Sequence, residues 1–306
     1  MATVAHNLSK LLPKGLRTWA RPKWHLLQDL FDFIFRKGGR LKYDPTLMCL
    51  VASRPVGGPR PMTVAVRSVK ELRRFIRFGD LEDDVVYHWL KRLTAADVLY
   101  DIGASNALES FFTNCLHDNK VVMVEPFTPS IETILKSIYV CGRMGLDTSK
   151  FEVVQAACDA EEGFGQLLMH RPPVPGQQEN SFDDATDYVT GELTEGGRAG
   201  LPVTVRQWMT SVTLDSLHRK HGLPTPTYVK IDVDGFEARV ITGASDLIAS
   251  RAVKSWAIEI NGAPNDEFIG EKLSAAGYVE VGRYTHKKPA PYPCDCIYDR
   301  DDRADT

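Results

Sequence analysis

The stretch VLYDIGASNA, residues 98–107, decides the fold. A short apolar run ends in an acid and a glycine, and a helical pattern follows over 107–118. An apolar run of this length without clean alternation is typical of a strand whose two faces are both buried. The glycine lets the backbone turn and approach a ligand closely, because it carries no Cβ. The stretch therefore predicts a buried strand, a tight turn and a helix.

The same pattern repeats along the rest of the chain. Strands that alternate with helices form a parallel sheet between two helical layers, with right-handed crossovers. The last two apolar runs have no helix between them, which predicts an antiparallel hairpin at the end of the order. The sequence thus predicts an α/β, Rossmann-like three-layer sandwich with a mostly parallel sheet. Its strand candidates are 98–103, 120–126, 151–157, 227–234, 254–260, 278–284 and 294–299, and its helix candidates are 107–118, 129–141, 211–221, 235–249 and 265–276.

We expect a main domain over 81–300, an N-terminal helical and mixed extension over 1–80 and a short tail over 301–306. Residues 1–42 carry nine Lys/Arg against two Asp, with an apolar stripe at helical spacing. This pattern predicts an amphipathic helix within 20–37. The helix either docks on the main domain or a second subunit, or rests on an anionic membrane surface. The stripe is Trp24, Leu27, Leu30, Phe31 and Ile34.

Residues 170–206 interrupt the alternation of strands and helices. They are polar, rich in Pro and Gly, and have little periodicity. A loop of this length in a compact domain is usually a lid, a binding loop or disorder. We interpret it as a lid over the carboxyl ends of the strands, with a surface insertion as the alternative.

Composition excludes several classes of protein. With 306 residues, 43% of them hydrophobic, the chain has ample material for a packed core, which excludes wholesale disorder. A net charge of −3 argues against nucleic acid as a partner, because no excess of positive charge exists to displace counterions. The N-terminal residues lack a signal-peptide pattern, and six sparse cysteines predict reduced thiols and a cytoplasmic location. Cys294 and Cys296, at C-x-C spacing, leave a metal site as the alternative.

Acids at the strand ends point to a cofactor that contains adenosine. Ligands of open parallel sheets bind outside the carboxyl ends of the strands. Gly103 closes the first strand, and Glu125 follows the second about twenty residues later, where a carboxylate can accept both ribose hydroxyl hydrogens. NAD requires a G-x-G-x-x-G loop, whereas this loop has one glycine and Asp101, which would repel a pyrophosphate. S-adenosylmethionine (SAM) matches these residues better.

The chain also resembles a known family. DIGA (101–104), VEP (124–126), VTLD (212–215), VKIDVDGFE (229–237) and GA (243–244) are similar to the motifs of the FkbM family of SAM-dependent methyltransferases. The resemblance covers roughly 80–300. It implies a class I methyltransferase fold, SAM as cofactor and O-methylation of a hydroxyl on a sugar or secondary metabolite. The first loop departs from the family pattern, with Ser105 for Asn and Ala107 for Gly, and Ala107 adds a Cβ near the cofactor's carboxylate.

With this fold, the positions of the residues suggest their roles. We expect Asp101 and Gly103 to face the methionine part of the cofactor with help from Ser105, and Glu125 to hold the ribose. We expect two further residues after the third strand, Cys158 and Asp159, to meet the adenine rim, where Asp159 would accept from the adenine amino group. A plain surface turn explains those two equally well.

Methyl transfer to an alcohol needs the acceptor oxygen in line with the methyl group and a group that takes the proton. We place Asp232 near the sulfonium and acceptor, and His286 as the general base, with His170 as the second candidate. Asp234 is either functional or the N-cap of the next helix, with Glu237 as its capping-box partner.

Oxygen ligands also follow the strands in a pattern that Mg²⁺ accepts. Asp232, Glu259 and Asn261 would form such a set, and the alternative is that they orient the substrate without a metal. Lys230 is expected to pair with an acid or to anchor an anionic acceptor.

Two other functions fit parts of the sequence. Tyr284-x-x-x-Lys288 has the spacing of an NAD(P)-dependent dehydrogenase pair, but the prolines at 289 and 291 remove the helix that this pair requires. A non-catalytic scaffold or membrane-docked protein on the same fold is the second alternative, which Ala107 favours. The acceptor is expected to be a small molecule, and the protein is expected to be an enzyme.

Overall fold

The computed structural model describes residues 26–80, 85–176, 180–182, 203–286 and 290–302. The strands are β1 (Arg40–Asp44), β2 (Cys49–Arg54), β3 (Met62–Val66), β4 (Val98–Ile102), β5 (Lys120–Val124), β6 (Phe151–Val154), β7 (Ala157–Cys158), β8 (Gly163–Met169), β9 (Asn180–Phe182), β10 (Val205–Val212), β11 (Tyr228–Ile231), β12 (Ser255–Ile260), β13 (Tyr278–Thr285) and β14 (Cys294–Arg300). The helices are α1 (26–35), α2 (Val69–Arg77), α3 (Val85–Leu90), α4 (Leu108–His117), α5 (Thr128–Arg143), α6 (Leu214–Arg219), α7 (Glu237–Thr242), α8 (Ser245–Ser250) and α9 (Ala263–Ala275). None of these helices is long and apolar enough to cross a membrane.

The central sheet has the strand order β13-β14-β12-β11-β4-β5-β6. Strands β12, β11, β4, β5 and β6 are parallel to one another, and β14 pairs antiparallel with both β12 and β13. The predicted mostly parallel sheet and its C-terminal hairpin are confirmed. The chain leaves β4 toward β5 on one side and later returns to β11 on the other. This reversal opens a crevice at the carboxyl ends of β4 and β11.

The apolar runs lack alternation because both faces of the sheet are covered. On β5, Val121 and Met123 join a core with α4 and α5, whereas Val122 and Val124 join a second core with α6, α7 and α8. Successive strand residues point to opposite faces, so a strand covered on both sides must be apolar throughout.

The N-terminal extension adds a sheet that the sequence did not predict. Strands β1, β2 and β3 form an antiparallel meander within the part that was expected to be a helical and mixed extension. Met62, Val64 and Phe75 of the extension belong to the same hydrophobic core as Phe111 and Phe112 of α4. The loop before β3 also touches α4, because a Cβ on Gly58 would lie 2.5 Å from the carbonyl oxygen of Cys115. The extension is therefore packed into the main domain.

Helix α1 packs by a different face from the predicted one. Phe33 is fully buried and Leu30 packs against the core, whereas Leu27, Phe31 and Ile34 are exposed. The prediction failed because apolar residues cover more than half of the circumference of this helix, so periodicity alone does not select the docking face. Contact with a second subunit or with a membrane stays a prediction, and residues 20–25 lie outside the described residues.

A small second sheet includes part of the predicted loop region. Its order is β7-β10-β8-β9, so β9 and the start of β10 correct the structureless interpretation of 170–206. Strand β10 also takes residues 211 and 212 from the predicted helix, which begins at Leu214 behind a capping box of Thr213 and Ser216. Residues 177–179 and 183–202 of the predicted lid lie outside the described residues.

Candidate active site

A cleft of about 780 Å³, open to solvent, lies at the carboxyl ends of β4, β5 and β11. It occupies the point where the strand order reverses, as expected for a sheet of this kind. The small second sheet forms its far wall through Leu167, Asn180 and Phe182. Its acidic and sulfur-bearing lining residues are Glu125, Cys158, Asp159, Asp232 and Asp234, and Gly103 and Ser105 line it as well.

Gly103 allows the two central strands to meet at the floor of the cleft. Its φ is +75°, and a Cβ at this position would lie 1.8 Å from the carbonyl oxygen of Asp232. Both the backbone conformation and the contact exclude a side chain. The predicted close approach is therefore made to the neighbouring strand end, beside the space a ligand would fill.

The rest of the loop also uses left-handed backbone conformations without glycine. Ser105 has a φ of +52° and Ala107 a φ of +55°. The methyl group of Ala107 is buried in the hydrophobic core and is not part of the cleft lining. The expectation that this Cβ stands near a bound cofactor is therefore wrong, because the chain turns inward before α4.

Glu125 is held in place by the backbone of two loops. Its Oε2 accepts from the amide of Ser105 at 2.6 Å, and its Oε1 accepts from the amide of Phe127 at 2.8 Å. Burial raises the pKa of this carboxyl to about 7 in spite of both bonds. Each carboxylate oxygen can accept a further hydrogen bond, so Glu125 can bind a diol in the cleft.

Asp101 lies behind the wall of the cleft, in contrast to the predicted position. Its side chain is fully buried, and its Oδ2 accepts from Ser110 at 2.7 Å. Its Oδ1 lies 3.6 Å from Nζ of Lys230 and has no hydrogen-bond partner. Because Asp101 and Lys230 are paired positions on β4 and β11, the acid serves this buried pair and does not itself line the cleft.

Lys230 links this buried acid to the cleft. Its Nζ lies 3.4 Å from Oδ2 of Asp232, which is the expected pairing with an acid. Burial opposes its charge, but Asp232 and Asp101 outweigh burial and raise the pKa of Lys230. The lysine therefore stays charged and fixes the Asp232 carboxylate at the edge of the cleft.

Asp159 lines the cleft but is already paired. Arg239 of α7 donates to both of its carboxylate oxygens, with 2.7 Å between Nη2 and Oδ2. The amide of Ala160 donates to Oδ1 at 2.7 Å. Its contact with an adenine amino group stays a prediction. Such a contact would use oxygens that Arg239 and the amide of Ala160 already bind. The neighbouring Cys158 lines the cleft with a thiol whose pKa is raised by burial.

A row of carboxylates continues from the cleft across the sheet. Glu259 and Asp295 are directly opposed on β12 and β14, and Asp232 follows β11 at the level of Glu259. Like charges in directly opposed positions are unfavourable. Burial, together with Asp232 and other acids, raises the pKa of Glu259 to about 8.

His286 lies against this carboxylate row. Its Nε2 is 3.1 Å from Oδ2 of Asp295 and 3.8 Å from Oε1 of Glu259. The hydrogen bond with Asp295 raises the pKa of the histidine, assisted by the charges of Glu259 and Asp232 and opposed by burial. The structure thus brings the two predicted catalytic residues, Asp232 and His286, to the same edge of the sheet.

The alternative that Asp234 caps the next helix, with Glu237 as its partner, is wrong. Helix α7 begins at Glu237 after Phe236, so Asp234 is not its N-cap. Glu237 is instead fully buried and accepts from the amide of Gly235 at 2.9 Å, which stabilises the turn. The local sequence resembles a capping box, but the backbone amides that donate to Glu237, those of Val233 and Gly235, lie in the turn before the helix.

The predicted Mg²⁺ ligands do not fit a metal. Asn261 directs its Nδ2 toward Glu259 at 3.3 Å, and Asp232 is paired with Lys230. Among the described His, Cys, Asp and Glu residues, the one set of three with ligand atoms within 4.8 Å of one another is Glu259, His286 and Asp295. That set contains an imidazole, whereas Mg²⁺ prefers oxygen ligands, and the histidine is already hydrogen-bonded to Asp295.

Other predicted residues lie away from the cleft. His170 is buried after β8 and does not line it. Tyr284 lies on β13, not on a helix, and Lys288 is outside the described residues. The sulfur atoms of Cys294 and Cys296 are 3.8 Å apart and buried, as expected of reduced thiols.

Sequence reasoning missed Asp295 and Arg74, both of which contact site residues. The sequence did contain a signal for Asp295. It lies between two cysteines of the last strand and therefore points to the opposite face of the sheet from them, near the strand ends that carry the other acids. Arg74 gave no signal, because it lies in the extension, far along the sequence from the loop after β4 that it contacts in the folded protein.

Comparisons with known proteins follow this geometry. A model of the methyltransferase FkbM domain matches residues 101–280. No protein of curated function matches the sequence. Among solved structures, an FkbM methyltransferase from Methylobacillus flagellatus shares 17% identity with a TM-score of 0.45, and the match covers 76% of this chain and 54% of that one. This chain therefore spans about half of that protein's length.

Two further solved structures are similar. Precorrin-6y C5,15-methyltransferase from Geobacter metallireducens shares 14% identity with a TM-score of 0.37, over 70% of this chain and 85% of that one. TrmK from M. capricolum, solved with S-adenosylhomocysteine (SAH), shares 8% identity with a TM-score of 0.39, over 71% of this chain and 67% of that one. The FkbM domain model matches more than half of the chain and contains the strand ends that build the cleft. The protein therefore belongs to the FkbM family of methyltransferases.

Proposed function

We propose that this methyltransferase uses SAM to methylate a hydroxyl of a small molecule, a sugar or a secondary metabolite. The observation that carries the proposal is Glu125, a cleft carboxylate fixed by two backbone amides next to the loop after β4. This position suits the ribose of a nucleoside cofactor, as the family resemblance implies.

The charge of the cleft supports SAM over a phosphate-bearing cofactor. Its lining contains Glu125, Asp159, Asp232 and Asp234. Arg239 pairs with Asp159, and Lys230 lies between Asp232 and the buried Asp101, so these acids outnumber the cations beside them. Such a lining attracts the sulfonium and ammonium groups of SAM and repels a pyrophosphate. When bound, SAM supplies an electrophilic methyl group. Ser105 and Glu125 would hold it, with Gly103 shaping the floor.

Asp232 and His286 are the residues that we assign to the acceptor. Asp232, fixed by Lys230, accepts a hydrogen bond from the acceptor and orients its oxygen. His286 takes the hydroxyl proton when its imidazole is neutral, and Asp295 stabilises the imidazolium that results. Because these neighbours raise the pKa of His286, the base requires a pH above the ordinary value of 6.5.

A polyhydroxylated acceptor fits the edge beside the cleft. Asp232, Glu259 and Asp295 lie side by side on three adjacent strands and can accept hydrogens from several hydroxyl groups. The sugar class follows from this row better than an apolar acceptor does, since hydroxyl groups can donate to the carboxylate oxygens, whereas apolar groups would cover these oxygens without forming a hydrogen bond.

The alternatives have lost their support. The scaffold interpretation depended on Ala107 obstructing the cofactor, and its methyl group is buried in the core. The dehydrogenase interpretation required a helical pair, and Tyr284 lies on a strand.

The test is calorimetry followed by a transfer assay. Titration of the protein with SAM and SAH should show binding, and NADH should show none. Incubation with SAM and a panel of sugars, phenols and alcohols should then give a product 14 mass units heavier than its acceptor, by mass spectrometry. Absence of SAH binding by the folded protein would refute the proposal.

A further inference from the structure

Arg74 contacts the loop that forms the floor of the cleft. It lies in the last turn of α2, and its Nη1 donates to Oγ of Ser105 at 2.9 Å. Ser105 lines the cleft, whereas Arg74 belongs to the N-terminal extension and lies outside the residues that match the FkbM domain. The extension therefore places a guanidinium beside the cleft.

Two other cationic side chains that contact residues lining the cleft are paired with acids. Lys230 lies between Asp101 and Asp232, and Arg239 binds Asp159. Arg74 differs, because its hydrogen-bond partner is a neutral hydroxyl. Within the described ranges, no carboxylate lies within ion-pair distance of its guanidinium. This group has five N–H donors, so most of them remain available for an anion.

The backbone directs Ser105 toward Arg74. The amide of Ser105 is fixed by Glu125 at 2.6 Å, and its φ of +52° is unusual for a residue other than glycine. The backbone nitrogen thus faces the predicted ribose site, and the hydroxyl faces the arginine. A ligand whose ribose is held by Glu125 would extend its amino-acid part along residues 103–105.

We infer that Arg74 and Ser105 form a binding site for the carboxylate of the donor's methionine part. This inference rests on the proposed use of SAM. The carboxylate is the single anionic group of SAM, and a guanidinium binds a carboxylate by two parallel hydrogen bonds. The cleft lining is otherwise rich in acids, which would repel this group. Arg74 offsets that repulsion at one end and so fixes the direction in which the donor lies.

The test compares two ligands that differ in the amino-acid part. SAH carries the carboxylate, whereas 5′-methylthioadenosine keeps the nucleoside and the thioether without it. Both would be titrated by calorimetry into wild-type protein, Arg74→Ala and Arg74→Gln. The glutamine variant keeps a donor for Ser105 and removes the charge. The matched control is Arg77→Ala, since Arg77 lies on the same helix, is exposed and pairs with Asp29.

We expect both Arg74 variants to bind SAH about 10- to 100-fold more weakly, the range for a charge-assisted hydrogen bond. Their affinity for 5′-methylthioadenosine should change less than twofold, and the control should match wild type with both ligands. Thermal unfolding shows whether each variant is folded. If Arg74→Ala is not, the SAH affinity of Arg74→Gln decides the question.

Two results would overturn the inference. Unchanged SAH affinity in the folded variants would show that Arg74 does not contact the donor, and equal losses for both ligands would show that it only supports the loop. Either result leaves the proposed function intact, because wild-type protein still binds SAH. If wild-type protein bound neither ligand, the proposed function itself would fail, and this inference with it.

Discussion

The side of the candidate site that we assign to SAM, the methyl donor, and the side that we assign to the acceptor are built in different ways. On the donor side, Glu125 accepts hydrogen bonds from two backbone amides, in the loops that follow β4 and β5. On the acceptor side, Asp232, Glu259 and Asp295 come from three strands and bring like charges together around His286. The Glu125 carboxylate is satisfied by backbone amides, whereas the acids of the acceptor side depend on the side chains of Lys230 and His286.

The proposed function gives the two sides separate roles, one in binding the cofactor and one in the chemistry. Fixed backbone donors hold a carboxylate in one geometry, which suits recognition of an invariant cofactor. Acids that lie close together shift one another's pKa values and that of a neighbouring histidine, which suits proton transfer. Changes on the donor side should therefore alter affinity, and changes on the acceptor side should alter turnover.

The strongest test of this separation is His286→Ala. We expect kcat to fall about 100- to 10,000-fold, because the variant loses the proposed general base, while SAH affinity stays within twofold. Steady-state kinetics with an identified acceptor and calorimetry with SAH measure the two quantities. A variant that loses SAH affinity and keeps kcat would contradict the separation.

Glu125→Gln makes the reverse comparison. We expect SAH affinity to fall about 10- to 100-fold, because the amide can neither accept from both loop amides nor bind the diol as a carboxylate. In wild-type protein, SAH affinity should rise as the pH passes about 7, where the Glu125 carboxyl loses its proton, and the variant should lose this dependence. The control is Glu132→Gln, the same change at an exposed position that pairs with Arg67 and Lys136. Unchanged affinity in Glu125→Gln would remove the donor site from this position.

Asp295→Asn should shift a pH profile. His286 is active as a base when neutral, so kcat/KM should rise with pH through a pKa above 6.5. Asp295 is the first cause of that raised pKa, and Glu259, Asp232 and burial remain in the variant. The acid limb of the profile should therefore move to lower pH, by roughly one unit or less. A shift toward higher pH, or none, would show that His286 is not the titrating group.

The smallest expected effect is that of Ala107→Gly. Glycine removes the cost of a left-handed alanine, about 1 kcal/mol, but leaves a buried gap the size of a methyl group. We expect these terms to cancel to within about 1 kcal/mol in the free energy of unfolding, measured with urea. SAH affinity should not change, since Ala107 is outside the cleft lining. A large gain in SAH affinity would restore Ala107 as an obstacle.

The sequence predicts the central sheet well because its rules are local. Each strand run, such as that over 120–126, is buried on both faces and followed by a helix, so its texture identifies it. The predicted residues Gly103, Ser105, Glu125 and Asp232 line one cleft, because the carboxyl ends of parallel strands meet at one edge.

Residues whose position depends on distant contacts escape such rules. Asp101 occupies a strand end like the others, but pairing with Lys230 on the neighbouring strand draws it behind the wall. Arg74 reaches the cleft from a helix that precedes the sheet. The second sheet is missed because β8 and β10 pair across some forty residues, and only part of one face is apolar.

The shared core of the extension has a practical consequence for anyone who shortens this chain. The expected boundary at residue 80 separates the parts that resemble the family from those that do not, but it cuts through packed side chains. A fragment starting at residue 81 would lack Met62, Val64 and Phe75. It would therefore expose apolar side chains of α4, such as Phe111 and Phe112, that share a core with them. Such a fragment should collect in inclusion bodies, and recombinant work on this methyltransferase needs to keep the extension from α1 onward.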